Sequence, residues 1–204
     1  MNMEEILQQL PSSLGAEIIT SGRLFHPYKI ARIKFGNWPI FINMSFATGS
    51  AGSIYTAIDA FFVAKDQLRL SLTHKNFLSG INKHVLTGDD DFDRNFALSG
   101  SDEQKIKSIF SNGRIRQLMK ENPTFSDQSF SFQLLKDGGI TEPGIPQNIS
   151  RLMFYRSYAL RFDEKIETFR DVCEILKESL GELVKVGSAS EEDPKMDNPS
   201  PFIL

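Results

Sequence analysis

Hydrophobic and polar residues alternate along several short stretches in the first half of the chain. A period of two places every second side chain on one face of a strand, so the alternation predicts strands over residues 31–35, 40–46, 55–64 and 68–72. The turn-forming residues 36–39 separate the first two of them. Because consecutive strands with short connections usually pair, these four strands are expected to form an antiparallel meander.

Helical spacing of apolar residues dominates the end of the chain. Apolar residues recur at steps of three and four over residues 163–186, which predicts one long helix. Two shorter helical pieces are predicted in the middle of the chain. The first begins at Ser101 as its N-cap and ends at Gly113, and the second follows directly. A short acidic helix over residues 3–10 is expected to end at Pro11.

Further short strands are predicted around residues 96–98, 130–134 and 152–158. Together these elements indicate an α+β fold, in which a mainly antiparallel sheet of short strands is packed by the long C-terminal helix and the shorter central helix pair. Residues 1–187 are expected to form this single domain. Residues 188–204 are rich in proline, serine and acidic side chains, which is typical of a loose tail.

The composition of the 204 residues narrows the class of protein. With 40% hydrophobic and 24% charged residues, the chain falls in the ordinary globular range. Its formal net charge of −3 argues against nucleic acid as a partner, because binding to nucleic acid depends on clustered lysine and arginine. No apolar run reaches the length of a transmembrane helix, and the single cysteine, Cys173, excludes an internal disulfide. A cytoplasmic protein is therefore expected.

Residues with recognisable chemistry are sparse. The chain has no glycine-rich nucleotide-binding motif, no zinc-protease motif and no nucleophile elbow, and no cofactor is predicted. The sharpest local feature is an acidic segment in which His84, Asp89, Asp91 and Asp93 could ligate a divalent cation. A calcium loop would need a glycine where Arg94 stands and a bidentate acid further on, and the chain has neither.

Two other sets of residues could contact a partner. Arg114 and Arg116 belong to a basic cluster on the central helices that could hold an anionic molecule. The chain ends in Phe202, Ile203 and Leu204, an apolar group that could dock on its own domain or on a partner protein. A solvated helix face and a loose tail are the plainer interpretations of these two sets.

Part of the chain resembles a family of uncharacterised bacterial proteins that carry a domain of unknown function. The resemblance extends over about residues 20–190 and rests on Thr87, Gly88, Asp89, Phe92, Asp93, Phe96, Gly100, Asp102, Asn112, Ile115, Arg116 and Leu118, with looser matches at residues 32–44 and 187–189. The resemblance implies a bacterial origin but no reaction. It therefore transfers no functional residues to this chain.

These patterns favour a non-catalytic cytoplasmic module that binds another protein or associates with itself through a sheet face, a sheet edge or the apolar tail. One alternative is a small metal-assisted hydrolase that uses His84 and the acidic residues 89–93. A second alternative is a lipid- or peptide-binding domain similar to a pleckstrin-homology barrel, on the order of elements alone. Whether the chain is an enzyme stays open at this point, although the lack of a catalytic motif in the sequence argues against it.

Overall fold

The structure is a computed structural model, and it describes residues 3–21, 28–46, 54–75, 84–126, 129–136, 146, 148–156 and 165–196. Its central element is an eight-stranded sheet in the order β1-β2-β3-β4-β8-β7-β5-β6, in which all neighbours are antiparallel. The strands are β1 (Glu17–Ser21), β2 (Tyr28–Phe35), β3 (Trp38–Phe46), β4 (Ile54–Val63), β5 (Leu70–His74), β6 (Phe96–Gly100), β7 (Phe130–Lys136) and β8 (Ile149–Arg156).

The helices in the described part of the chain are α1 (Met3–Leu14), α2 (Asp90–Asn95), α3 (Glu103–Phe110), α4 (Gly113–Glu121) and α5 (Ile166–Lys185), with a short 3₁₀ turn at Pro123–Ser126. The predicted α+β class is confirmed, with α5 as the long helix and α3 and α4 as the central pair. Within the described ranges, no helix is both long enough and apolar enough to cross a lipid bilayer.

The larger apolar cluster lies between the helices and one face of the sheet, the helix face. Alternate strand side chains such as Ile33, Ile40 and Phe62 are buried there together with Leu176 and Leu180 of α5. The period of two in the strands and the spacing of three and four in α5 thus supply two matching apolar surfaces. Full burial of one such side chain stabilises the fold by about 1.5–3 kcal/mol.

The opposite side of the sheet, the second face, carries a smaller apolar cluster. It consists of Ile30, Phe41, Phe61 and Ile149 on the strands, together with Met196 near the C-terminus. The rings of Phe41 and Phe61 meet edge to face with centroids 5.7 Å apart. The sheet therefore has apolar contacts on both faces.

The predicted four-strand meander is wrong in its last step. β2, β3 and β4 pair in sequence as expected, but β4 pairs next with β8, and β5 lies between β7 and β6. β8 is buried at all of its first six residues, so it needs a neighbouring strand on each side. Local alternation predicts a strand and its faces but not its neighbour. The pleckstrin-homology-like alternative, which rests on the order of elements along the chain, stays a prediction.

Three predicted helix boundaries also differ from the structure. α1 continues through Pro11 to Leu14, because proline removes one backbone donor while the following N–H groups can still bond. α3 is capped by Asp102 and not by Ser101, since the Asp102 carboxylate accepts hydrogen bonds from the backbone N–H groups of Gln104 and Lys105. Gly113 opens α4 where the sequence predicted the end of α3.

The predicted tail begins as an ordered segment. Residues 188–196, the strap, run from the end of α5 to the second face of the sheet. Ala189 forms an antiparallel bridge with Ala64, and Trp38 Nε1 donates to the carbonyl of Ser190 at 3.2 Å. The strap therefore packs on the sheet, whereas the sequence predicted a loose tail from residue 188.

Candidate functional site

The predicted metal ligands lie on α2 and in front of it, but they do not converge. Among the residues that the structure describes, no three His, Cys, Asp or Glu side chains are close enough to hold a metal ion. His84 is half-buried at the start of the segment that leads to α2, and Asp91 is exposed on the helix. The predicted site of His84, Asp89, Asp91 and Asp93 is therefore corrected, and the reason lies in the hydrogen bonds of the aspartates.

Asp93 closes the turn that precedes α2. Its Oδ1 accepts hydrogen bonds from the backbone N–H of Thr87 at 2.9 Å and from the Thr87 hydroxyl at 2.8 Å. Its Oδ2 accepts from the N–H of Gly88 at 3.0 Å. Gly88 has a φ of 87°, which glycine adopts without steric cost. Both carboxylate oxygens of Asp93 are thus oriented by the loop, which is a structural use of the group.

Asp89 is the N-cap of α2 and faces α4. Its Oδ1 accepts from the backbone N–H of Phe92 at 3.0 Å. Its Oδ2 lies 3.6 Å from Arg116 Nε and 3.6 Å from Lys120 Nζ. The hydrogen bond from Phe92 holds the pKa of Asp89 below its usual value, the charges of Lys120 and Arg116 add to this effect, and burial partly opposes it.

The acidic and basic candidate sets are therefore each other's partners. Arg116 and Lys120 both face Asp89, and Lys120 Nζ is also 3.4 Å from Asp91 Oδ2. These four residues form the α2–α4 ion-pair group. Arg114 is exposed and lies outside this group. Arg114 and Arg116, which the sequence analysis placed in one partner site, do not form one free basic surface.

The third candidate set, Phe202, Ile203 and Leu204, lies outside the described residues, and its docking stays a prediction. The described chain ends at Met196, which is 7% exposed and packs in the second-face cluster.

A polar cluster that the sequence did not indicate joins the strap to α3. Asp66 Oδ2 accepts hydrogen bonds from Lys105 Nζ at 2.5 Å and from Ser188 Oγ at 2.7 Å. Asp66 Oδ1 accepts from the backbone N–H of Leu68 at 2.9 Å. Burial raises the pKa of Asp66, but the hydrogen bonds from Lys105, Leu68 and Ser188 outweigh burial and bring the pKa below its usual value. Asp66, Lys105 and Ser188 are called the clasp.

The clasp resembles a serine–lysine pair, since Lys105 Nζ is 3.3 Å from Ser188 Oγ, but it lacks the properties of a catalytic one. A lysine that activates a serine must have its amine free to accept the serine proton, whereas Lys105 Nζ forms an ion pair with the carboxylate of Asp66. Ser188 is 2% exposed, so a substrate cannot reach its hydroxyl. The clasp therefore ties three distant parts of the chain together and has no accessible nucleophile.

A buried charged pair on the second face was also missed. Asp59 on β4 and Arg151 on β8 face each other with 3.9 Å between Oδ1 and Nε. The signal available in the sequence was an aspartate within the apolar run 57–63, inside a predicted strand. Such a residue in the interior of a strand requires a partner, and strand order alone decides which one is adjacent.

Two further features in the described part of the chain offer little room or reactivity. A shallow depression of about 110 Å³ is lined by Glu4, Leu7, Gln8, Pro11, Ile18 and Lys29. Pockets for small ligands usually enclose about 300–1,000 Å³. Burial raises the pKa of the Cys173 thiol to about 12, so the thiolate needed for nucleophilic chemistry does not form at neutral pH.

No protein-family model, curated protein or solved structure matches this chain. The geometry of the sheet and of its charged groups is therefore the basis for the function proposed below.

Proposed function

We propose that this chain is a non-catalytic module that binds protein, itself included, through one edge of its sheet. The observation that carries the proposal is the difference between the two edge strands, β1 and β6. An edge strand presents a row of backbone N–H and C=O groups that another strand can pair with. Whether an edge is protected therefore indicates whether it can bind.

The β6 edge is partly protected by its own chain. The backbone N–H of Val85 donates to the carbonyl of Leu98, in the middle of β6, at 2.7 Å. This hydrogen bond comes from outside the sheet, and it occupies a group that a further strand would need. The segment around Val85 thus limits strand addition at this edge.

The β1 edge has no comparable protection in the described part of the chain. β1 pairs with β2 only, and no backbone hydrogen bond from a described residue outside the sheet reaches it. Ile18 and Ile19 are half-buried, and Thr20 is exposed. β1 also lacks the lysine and proline residues that commonly prevent edge pairing. A β-branched, unprotected strand is a surface that proteins recognise by strand addition.

The charged groups support a non-catalytic role. The α2–α4 ion-pair group, the clasp and the Asp59–Arg151 pair each place opposite charges of the chain next to one another. A catalytic site instead gathers titratable groups around a cleft that admits a substrate. A reducing, cytoplasmic location belongs to this proposal and rests on the single cysteine, which is free and buried.

The proposal is tested by the mass of the protein in solution as a function of concentration. Sedimentation velocity over about 1–100 µM brackets the affinity expected of a short interface. We expect the mass to rise above that of the 23.0 kDa monomer. Thr20→Lys on β1 should reduce this association. Ser99→Lys, which introduces a lysine on the other edge strand, β6, should not. Circular dichroism verifies that both variants fold. A monomer at every concentration, or equal effects of the two variants, would contradict the proposal.

A further inference from the structure

We infer that the partner of β1 is β1 of a second copy of this chain. The two strands pair antiparallel about a twofold axis that lies between them at the level of Ile19, written below as an axis through Ile19. This inference rests on the proposed function and adds the partner and the register. A twofold axis perpendicular to the sheet pairs the same strand of two copies antiparallel. The two eight-stranded sheets would then form one continuous sheet.

The sequence of β1 is complementary to itself in this register. Ile19 lies opposite Ile19 of the second copy, Ile18 lies opposite Thr20, and Glu17 lies opposite Ser21. Cross-strand pairs of β-branched residues are favourable, and like charges directly opposite each other are not. The strand carries one charge, on Glu17, and this register places a neutral residue opposite it.

The other registers are less favourable. A perpendicular twofold axis keeps both helix layers on the same side of the joined sheet. Residues that lie opposite each other then share a face, so one residue of β1 must lie opposite its own copy, and the axis is level with that residue. An axis through Ile18 places the carboxylate of Glu17 opposite Ile19. An axis through Thr20 leaves Glu17 and Ile18 without partners within the strand. The axis through Ile19 pairs all five residues of β1.

The size of this contact sets the expected affinity. β1 has five residues, so pairing along it covers a short interface. Interfaces below about 1,200 Å² are typical of weak or transient association. We therefore expect a dimer that forms and dissociates in the micromolar range, which sedimentation velocity can follow.

The decisive experiment uses Ile19, the position that faces its own copy. Ile19→Lys and Ile19→Glu each place like charges opposite each other, and each alone should weaken association by roughly tenfold. An equimolar mixture of the two variants should associate more tightly than either one, because lysine then lies opposite glutamate. The matched control is the pair Ser99→Lys and Ser99→Glu on β6, for which mixing should change nothing. All measurements use the full chain.

A second variant covers the case in which a charge at position 19 prevents folding. Ile19→Cys replaces one apolar side chain by a smaller one, and on oxidation it should link two copies covalently through that position. Cys173 is buried and does not compete for the reaction. Ser99→Cys provides the control and should give no covalent dimer.

The outcomes separate this inference from the proposed function. If Thr20→Lys weakens association but the Ile19 mixture does not recover and no covalent dimer forms, the twofold register is wrong and binding through the β1 edge stands. If the wild-type chain is monomeric at every concentration, both are overturned. Recovery on mixing, or a covalent dimer through position 19 only, supports the register.

Discussion

At the scale of single residues, Asp59 and Arg151 place opposite charges inside the sheet, with side chains 10% and 4% exposed. Removal of one partner leaves a buried charge uncompensated, so Asp59→Ala or Arg151→Ala should each lower the free energy of unfolding by about 3–5 kcal/mol. The double variant Asp59→Leu with Arg151→Met should cost less than the sum of the single losses. Urea unfolding in a double-mutant cycle measures the coupling, and strictly additive losses would show that the two charges act independently.

Gly100 is another residue whose identity the fold requires. A Cβ atom there would overlap the carbonyl oxygen of Arg69 and Cδ1 of Ile106. Gly100→Ala should therefore lower the free energy of unfolding by about 1–3 kcal/mol, as overpacking does. Gly181 in α5 is the matched control, because a Cβ there meets nothing within 4 Å. Gly181→Ala should raise stability by about 0.5–1 kcal/mol, since alanine favours the helix. Thermal unfolding ranks the two variants, and equal effects would contradict the packing argument.

The residues that stood out in the sequence have structural roles. Asp93 and Gly88 form the turn before α2, Phe92 is buried, and Asp102 and Asn112 cap α3 and α4. The spacing of the acidic residues indicated that their carboxylates have a defined role, but it could not distinguish a cation ligand from a helix cap. Both uses require a carboxylate oxygen aimed at a positive group.

At the scale of elements, the clasp makes the attachment of the strap depend on the charge of Asp66. Burial alone raises the pKa of Asp66, but its hydrogen bonds, the first from Lys105, lower it below the ordinary value of 3.8. A carboxylate with a lowered pKa stabilises the fold above its unfolded pKa and loses that contribution as pH falls through its folded pKa. Asp66→Asn should therefore cost about 1–3 kcal/mol at pH 7. The difference from wild type should shrink below pH 3.8. Urea unfolding at several pH values measures this difference, and a constant gap would contradict the assignment.

Lys185 provides a matched control for Lys105, the lysine of the clasp. Lys105 joins α3 to two other segments, whereas Lys185 forms an ion pair with Glu182 on its own helix. Lys105→Met should increase amide hydrogen exchange across residues 188–190, because the strap loses its tie to α3. Lys185→Met should leave exchange there unchanged. Equal exchange in the two variants would show that the clasp does not hold the strap.

The elements themselves were more predictable than their arrangement. Alternation identified β2, β3, β4 and β7, and helical spacing identified α5 to within a few residues, since these patterns are local properties of the chain. The insertion of β7 and β8 between β4 and β5 was not predictable in this way. It depends on which buried strand forms backbone hydrogen bonds with a neighbour on each side. Contacts between segments that are distant in the sequence determine that order.

At the scale of the whole molecule, the strap affects how a C-terminal deletion is interpreted, because a deletion that includes the strap changes both stability and binding. Met196 packs against the second face, and Ser190 donates its N–H to the carbonyl of Val63 at 2.9 Å. Removing residues 188–204 as one piece would therefore disturb the fold and any binding role of the apolar end together. A truncation after Gly187 should lower the free energy of unfolding by about 2–4 kcal/mol, as the loss of one buried side chain and several hydrogen bonds implies.

A truncation after Met196 separates the two candidate contacts between copies. It removes Phe202, Ile203 and Leu204 but keeps the strap and its bonds to β4. If β1 is the contact, this shorter chain should associate as the full chain does, and Thr20→Lys should still weaken it. Loss of association in the shorter chain, with an unchanged free energy of unfolding, would instead assign the contact to the apolar end. Sedimentation velocity and urea unfolding of both chains therefore distinguish an edge that pairs strands from a tail that docks on a partner.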